Sequence, residues 1–219
     1  PGLLTVKALK LLRKADVVVY DYLVNPDLLI HLKEDAERIF VGKVGHGTQT
    51  PQSQINALLV AKANEGKLVV RLKGGDPFLF GRGGEEALAL RGAGIPFEIV
   101  PGISSALAVP AYAGIPLTHR GLSSSIAILT GANAGDGKLS EDLLNARSAD
   151  TIVVLMGIAH LRDIAAQLIT LGRSLDTPAA VIQWGTYESQ QVVTGTLETI
   201  ADVAAEQRLR SPSIIVIGE

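Results

Sequence analysis

Leu68-Val69-Val70-Arg71-Leu72-Lys73-Gly74-Gly75-Asp76-Pro77 is a short apolar run that breaks on paired glycines, an aspartate and a proline. A run of this length, bounded by turn residues, reads as a buried strand. A helical stretch precedes it, Ser53–Asn64, with a candidate cap at Ser53 and a stop at Gly66. Another follows it, Glu85–Arg91. A strand between two helices, with glycines at its carboxyl end, is the repeating unit of a parallel α/β sheet, whose ligands bind beyond the carboxyl ends of the strands. Outward from this unit the alternation continues. Leu3–Lys14 reads as a helix with Leu4, Ala8, Leu11 and Leu12 on one face, and Ala15–Tyr20 as a strand. A helix over Pro26–Lys33, a strand over Glu37–Val41, a strand over Pro96–Val100 and a small-residue helix over Ser104–Ala113 complete the first half.

The rhythm changes after Thr118-His119-Arg120. Strands are predicted at Ser125–Thr130, Thr151–Met156, Pro178–Gln183 and Ser213–Ile217, with a hairpin-like polar stretch over Gln190–Thr196. Between them stand a Gly/Asn/Asp loop over Gly131–Lys138, a helix over Leu161–Leu171 and a helix ending near Gln207. The pattern gives two α/β domains: residues 1–119 with a parallel sheet, and residues 120–219 with a mixed one.

Composition narrows the function. Of 219 residues, 47% are hydrophobic and 19% charged, which is the balance of a core-forming chain. Cysteine is absent, excluding disulfides, thiolate metal sites and a cysteine nucleophile, and fitting a reducing cytoplasm. The formal net charge of −2 provides no basic field for nucleic acid, and 4% aromatics are too few for a base-stacking platform. The longest uncharged run, Ile99 to Thr118, is broken by Pro101, Pro110 and Pro116, so it reads as buried loop and helix, not as a membrane span.

Gly74, Gly75, Gly81, Gly83 and Gly84 do not match the dinucleotide fingerprint, and no phosphate-loop lysine is followed by Ser or Thr. Physically, the two glycines after the strand let a ligand approach the backbone, and Asp76 adds a carboxylate that suits hydroxyls or an ammonium and repels phosphate. The alternative is a tight turn capped by Asp76.

Taken together, Leu72–Glu86 (LKGGDPFLFGRGGEE), Val100–Ser105 (VPGISS), Ala111–Arg120 (AYAGIPLTHR), Asp16–Val24 (DVVVYDYLV), Val41–Lys43 and Met156-Gly157 resemble the uroporphyrinogen-III C-methyltransferases of the tetrapyrrole methyltransferase family. The resemblance spans nearly the whole chain in order. It implies the two-domain tetrapyrrole methylase fold with S-adenosylmethionine in the cleft between the domains, a homodimer, and no metal. The implied reaction places two methyl groups on pyrrole carbons of uroporphyrinogen III, giving precorrin-2 for siroheme, cobalamin or haem d1. The family opens with a strand and a G-x-G-P-G-D loop, whereas only Pro1-Gly2 stand before Leu3 here, so the first strand and part of the site are expected upstream. Tyr22 also departs from the Arg or Ala common after Asp21.

The resemblance assigns roles residue by residue. Gly74, Gly75, Asp76, Leu79, Ser104, Ser105, Met156 and Gly185 are implied for the cofactor. Asp21 and Lys43 correspond to the proton acceptor and donor; an ion pair that only orders the loop is the competing reading. Arg82 and Arg120 are the expected cations for the substrate carboxylates. Glu85 either orients Arg82, contacts a pyrrole NH or favours the helix dipole, and His119 assists or shapes its turn. His31, His46 and His160 show no ligand spacing. Two other readings remain open: a sister methyltransferase acting on a later precorrin or a protein residue, and a cofactor-binding domain without activity.

Overall fold

The computed structural model describes residues 1–42, 50–131 and 138–219. Contacts divide the chain into two units, Pro1–Ser104 and Ser105–Glu219. The division falls upstream of the expected 119/120 boundary, and the helix that follows Ser104 packs on the second sheet.

In the first unit, α1 (Val6–Leu12) is capped by Thr5, whose Oγ1 accepts the Ala8 N–H at 3.2 Å. Three strands follow: β1 (Val17–Tyr20), β2 (Glu37–Phe40) and β3 (Val69–Leu72), in the order β2-β1-β3 and all parallel. Val17 lies opposite both Glu37 and Val69. The valines of β1 are fully buried because the strand is covered on both faces. Val18 packs with Leu12, Ala15 and Leu32, while Val17 and Val19 pack with Ile55 and Leu59. Each such side chain contributes about 1.5–3 kcal/mol on burial.

Ile55 and Leu59 belong to α2 (Gln52–Asn64), which Gly66 stops at φ 77°. Its N-cap is Pro51, so Ser53 sits inside the helix and does not cap it. The stretch after Asn25 is a 3-10 helix over Pro26–His31. The glycine-rich loop leads into α3 (Gly83–Gly92). Pro96–Val100 was expected as a strand and carries no ladder pairing; it is largely exposed, and Glu98 meets Lys7 of α1 at 2.7 Å. Strand propensity needs a partner edge to become a strand, and local sequence cannot supply one.

The second unit begins with α4 (Ser105–Tyr112), followed by β4 (Ile126–Thr130), α5 (Lys138–Ala146), β5 (Thr151–Leu155), α6 (Leu161–Thr170), β6 (Pro178–Gln183), β7 (Gln191–Thr196), α7 (Ile200–Glu206) and β8 (Ser213–Ile217). The sheet order is β4-β5-β8-β6-β7. β4 and β5 are parallel; β8 runs antiparallel to both β5 and β6, and β6 pairs antiparallel with β7. The mixed sheet and the hairpin agree with the sequence pattern, and α5 adds a helix to it. One core joins Leu139 and Leu143 of α5, Ile164 and Leu168 of α6 and Ile200 of α7 to Ile152, Val181 and Ile215 of the sheet. α4 lies against β5 and β8.

Candidate active site

Because β1, β2 and β3 are parallel, their carboxyl ends share one edge. Asp21, Val41-Gly42 and Lys73-Gly74-Gly75-Asp76 emerge there. Gly74 and Gly75 are exposed, and Gly75 has φ 72°. A Cβ at Gly102 would stand 2.1 Å from the Gly75 carbonyl oxygen, so the loop holding Ser104 lies directly on the loop after β3. Asp76 ties the two: Oδ1 accepts the Phe78 N–H at 2.8 Å and Oδ2 the Gly102 N–H at 3.0 Å. The aspartate therefore performs the turn role, and each oxygen keeps a lone pair beyond its amide. Leu79 is half-buried nearby in sequence, Ser104 is buried, and Ser105 opens α4.

The rest of the glycine loop is folded on itself. Cβ atoms at Gly81 and Gly83 would stand 2.7 and 2.4 Å from the Pro77 carbonyl oxygen. Arg82 follows with φ 57° at the N-cap of α3. Its Nε and Nη2 donate to Glu85 Oε1 and Oε2 at 2.7 and 2.9 Å, a two-pronged pair that is half exposed. The Arg82 fork holds the Glu85 carboxyl below the usual carboxylate range. Of the three roles open to Glu85, orienting Arg82 is the one this geometry displays.

Asp21 has a partner that the sequence reading missed. Its Oδ2 accepts from Arg71 Nη2 at 3.2 Å, and its Oδ1 accepts the Leu23 N–H at 3.2 Å. Arg71 in turn reaches the buried Glu86, which Lys73 also contacts. The signal was present: Arg71 and Lys73 stand two apart on the strand line, hence on one face, and buried cations need buried acids. Lys43 and His46 lie outside the described residues.

In the second unit, β5 and β6 are each antiparallel to β8, so they run parallel to one another and to β4. Gly131, Met156 and Trp184-Gly185-Thr186 follow the three strands at one edge. Met156, Trp184 and Thr186 have φ of 56°, 49° and 71°. Left-handed backbone at side-chain-bearing residues is uncommon and clusters at functional sites. Met156 is half exposed. A Cβ at Gly185 would stand 2.4 Å from Val109 Cγ1 of α4, which makes this glycine a packing requirement as well as a strand-end residue.

His119 and Arg120 lie in a turn. The His119 N–H donates to the Ser123 carbonyl at 2.9 Å, and His119 Nδ1 lies 3.0 Å from the Arg120 carbonyl oxygen. His119 thus shapes the turn, and Arg120 is exposed. Among the described residues, no three His, Asp or Glu side chains come together as a metal site.

The profile of the tetrapyrrole (corrin/porphyrin) methylases matches residues 1–201. The chain is 50% identical to the uroporphyrinogen-III C-methyltransferase of Methanocaldococcus jannaschii, covering 100% of this chain and 91% of that protein. It is 49% identical to the siroheme synthase of Nitrosomonas europaea, matching 100% of this chain and 46% of that longer protein. Among solved structures, the uroporphyrin-III C-methyltransferase of Thermus thermophilus, complexed with S-adenyl homocysteine, superposes with a TM-score of 0.85 at 40% identity, covering 100% of this chain and 92% of that one. A cobalt precorrin-4 methyltransferase superposes with a TM-score of 0.86 at 30% identity, covering 100% and 90%.

Proposed function

Because the chain belongs to the tetrapyrrole (corrin/porphyrin) methylases, we propose that it transfers two methyl groups from S-adenosylmethionine to pyrrole carbons of uroporphyrinogen III, giving precorrin-2 for siroheme, cobalamin or haem d1 synthesis. The observation that carries this reading is the 50% identity, over the whole chain, to a uroporphyrinogen-III C-methyltransferase. Backbone shape alone does not choose a substrate, since the precorrin-4 enzyme superposes with a TM-score of 0.86. Identity supports the uroporphyrinogen-III substrate, at 40% to the Thermus enzyme against 30% to the precorrin-4 enzyme.

Each unit carries, at its own strand edge, residues whose chemistry suits S-adenosylmethionine. Exposed glycines at 74 and 75 give close backbone approach, the spare lone pairs of Asp76 suit hydroxyls or an ammonium, and Met156 provides a soft apolar wall. Leu79, Ser104, Ser105 and Gly185 complete the proposed cofactor set. The cofactor, when bound, supplies a methyl already activated on a sulfonium. What remains for the protein is alignment, which can be worth about 7–11 kcal/mol. Arg82, held by Glu85, and Arg120 take substrate carboxylates, with His119 fixing the turn that carries Arg120. Asp21 receives the proton that the macrocycle gives up, from a position other than the newly quaternary carbon, after methyl transfer, and Lys43 is assigned as its donor counterpart.

The test is anaerobic incubation of the protein with S-adenosylmethionine and uroporphyrinogen III, followed by mass and absorbance. Two added methyl groups are expected. Cofactor binding without methylation would overturn the reading in favour of a later precorrin or an inactive cofactor-binding domain. The same proposal includes a cytoplasmic homodimer that engages neither membrane nor nucleic acid. No helix among the described residues is long and apolar enough to cross a membrane. Light scattering distinguishes 23.0 kDa from twice that mass.

A further inference from the structure

Glu86 is an acid at the start of a helix, where solvent exposure is usual, yet it is 5% exposed. Its Oε1 accepts from three donors: Arg71 Nε at 3.0 Å, Lys73 Nζ at 3.2 Å and Gln52 Nε2 at 3.1 Å. Gln52 is itself steadied by Asn56 Oδ1 at 3.0 Å. Arg71 is held from every side. Nη1 donates to the Val19 and Leu72 carbonyls at 3.3 and 2.9 Å, Nε to Glu86, and Nη2 to Asp21 Oδ2 at 3.2 Å. Asp21 and Glu86 balance Arg71 and Lys73, so the cluster is neutral as a whole. Burial first, and the Arg71 charge second, lower the Lys73 pKa from the ordinary lysine value.

A buried ion cluster is a poor stabiliser compared with apolar packing of the same volume. This one stands at the carboxyl edge of the sheet, where ligands bind, and it ends on the carboxylate assigned to proton acceptance. We propose that Glu86 is a positioning residue for Asp21: it locks the Arg71 guanidinium, and through Arg71 fixes the direction of the Asp21 carboxylate. The proposal rests on the methyltransferase reading above only for the chemical role of Asp21; the lock itself is independent of it.

The test uses the whole protein and the paired substitution Glu86→Leu with Lys73→Met, which removes the acceptor that holds Arg71 together with one ammonium and keeps the cluster charge-balanced. The first readout needs no turnover. The Asp21 13Cγ resonance, assigned by Asp21→Asn, should shift or broaden in the paired variant, and the protected Arg71 Nε–H signal should be lost. An unmoved Asp21 resonance overturns the proposal whatever the activity. The second readout is kinetic. kcat should fall at least about tenfold, with KM for uroporphyrinogen III and the cofactor Kd within about twofold. Repeated in an Asp21→Asn background, the same pair should change kcat by less than about twofold, because the two sites act as one unit. Equal losses in both backgrounds, or a rise in KM alone, overturn the positioning role. A wild-type protein that does not methylate uroporphyrinogen III, with the Asp21 resonance still moved in the variant, would sink the proposed function and leave the lock standing.

Discussion

Asp76 and Gly102 are joined by a hydrogen bond from the Gly102 N–H to Asp76 Oδ2 at 3.0 Å, which pins the loop leading to Ser104 onto the loop after β3. The other Asp76 oxygen serves Phe78, so one carboxylate sets the shape of the whole turn. Hydrogen bonds to a charged acceptor contribute about 1.5–3 kcal/mol. Asp76→Ala is expected to weaken S-adenosylmethionine binding about tenfold or more while leaving tetrapyrrole binding nearly intact. Calorimetry with each ligand checks this; unchanged cofactor affinity would reduce Asp76 to a turn residue alone.

Gly185 offers a packing experiment in the second unit. An added Cβ meets Val109 Cγ1 and Cγ2 at 2.4 and 2.5 Å, and Val109 is buried in α4. Overpacking of this kind costs about 1–3 kcal/mol. Gly185→Ala should therefore lower the Tm by about 2–12 °C. Adding Val109→Ala should recover part of the loss, since it removes both opposing methyl groups. Thermal unfolding of the four proteins in the cycle decides it, and additive losses would refute the contact.

The two arginines should separate substrate from cofactor. Arg120→Ala is expected to raise KM for uroporphyrinogen III several-fold with cofactor affinity unchanged. Arg82→Lys should behave nearly as badly as Arg82→Ala, because an ammonium cannot reproduce the two-pronged fit seen with Glu85. A large loss of cofactor binding in Arg120→Ala would contradict its assignment.

Asp150 gives a pH-dependent prediction. Its Oδ2 accepts the N–H and hydroxyl of Ser124 at 2.8 and 3.1 Å and those of Ser125 at 3.0 and 2.9 Å. These donors hold its carboxyl below the ordinary aspartate range, the Ser124 amide first. The ionised form is thus favoured by folding. Its contribution is present above the unfolded aspartate value of about pH 4 and is lost as pH falls through the lower folded value. Asp150→Asn should melt below wild type at neutral pH, and the gap should close on acidification. A gap that persists at the lowest pH would show that charge is not the cause.

The alternation of strands and helices, the parallel first sheet, the mixed second one and the hairpin of β6 and β7 were all legible, because each is written in local periodicity. Helix α5 is also spelled locally, by the buried Leu139, Leu143 and Ala146 at helical spacing, but the Gly, Asn and Asp residues between Gly131 and Lys138 carry a loop pattern in sequence, and most of them lie outside the described residues. Pro96–Val100 failed for the opposite reason, since pairing depends on a distant edge. At the candidate site, glycines and arginines stood out by type and motif. Glu86 did not, because it shares a helix-start signature with its neighbour Glu85, and only the fold turns one inward and the other out.

The order of the second sheet has a bearing on how the protein is made. β8 lies between β5 and β6, yet follows every other strand of that sheet in the chain. As the ribosome extrudes the polypeptide, β4–β5 and β6–β7 can form as separate ribbons, each with an open edge, and neither can join the other until Ser213–Ile217 has emerged. Long-range pairings of this kind form late and leave edges exposed in the interim. The nascent second unit therefore depends on a keystone strand delivered last, and a chain released before Ser213 would leave the facing edges of β5 and β6 unpaired.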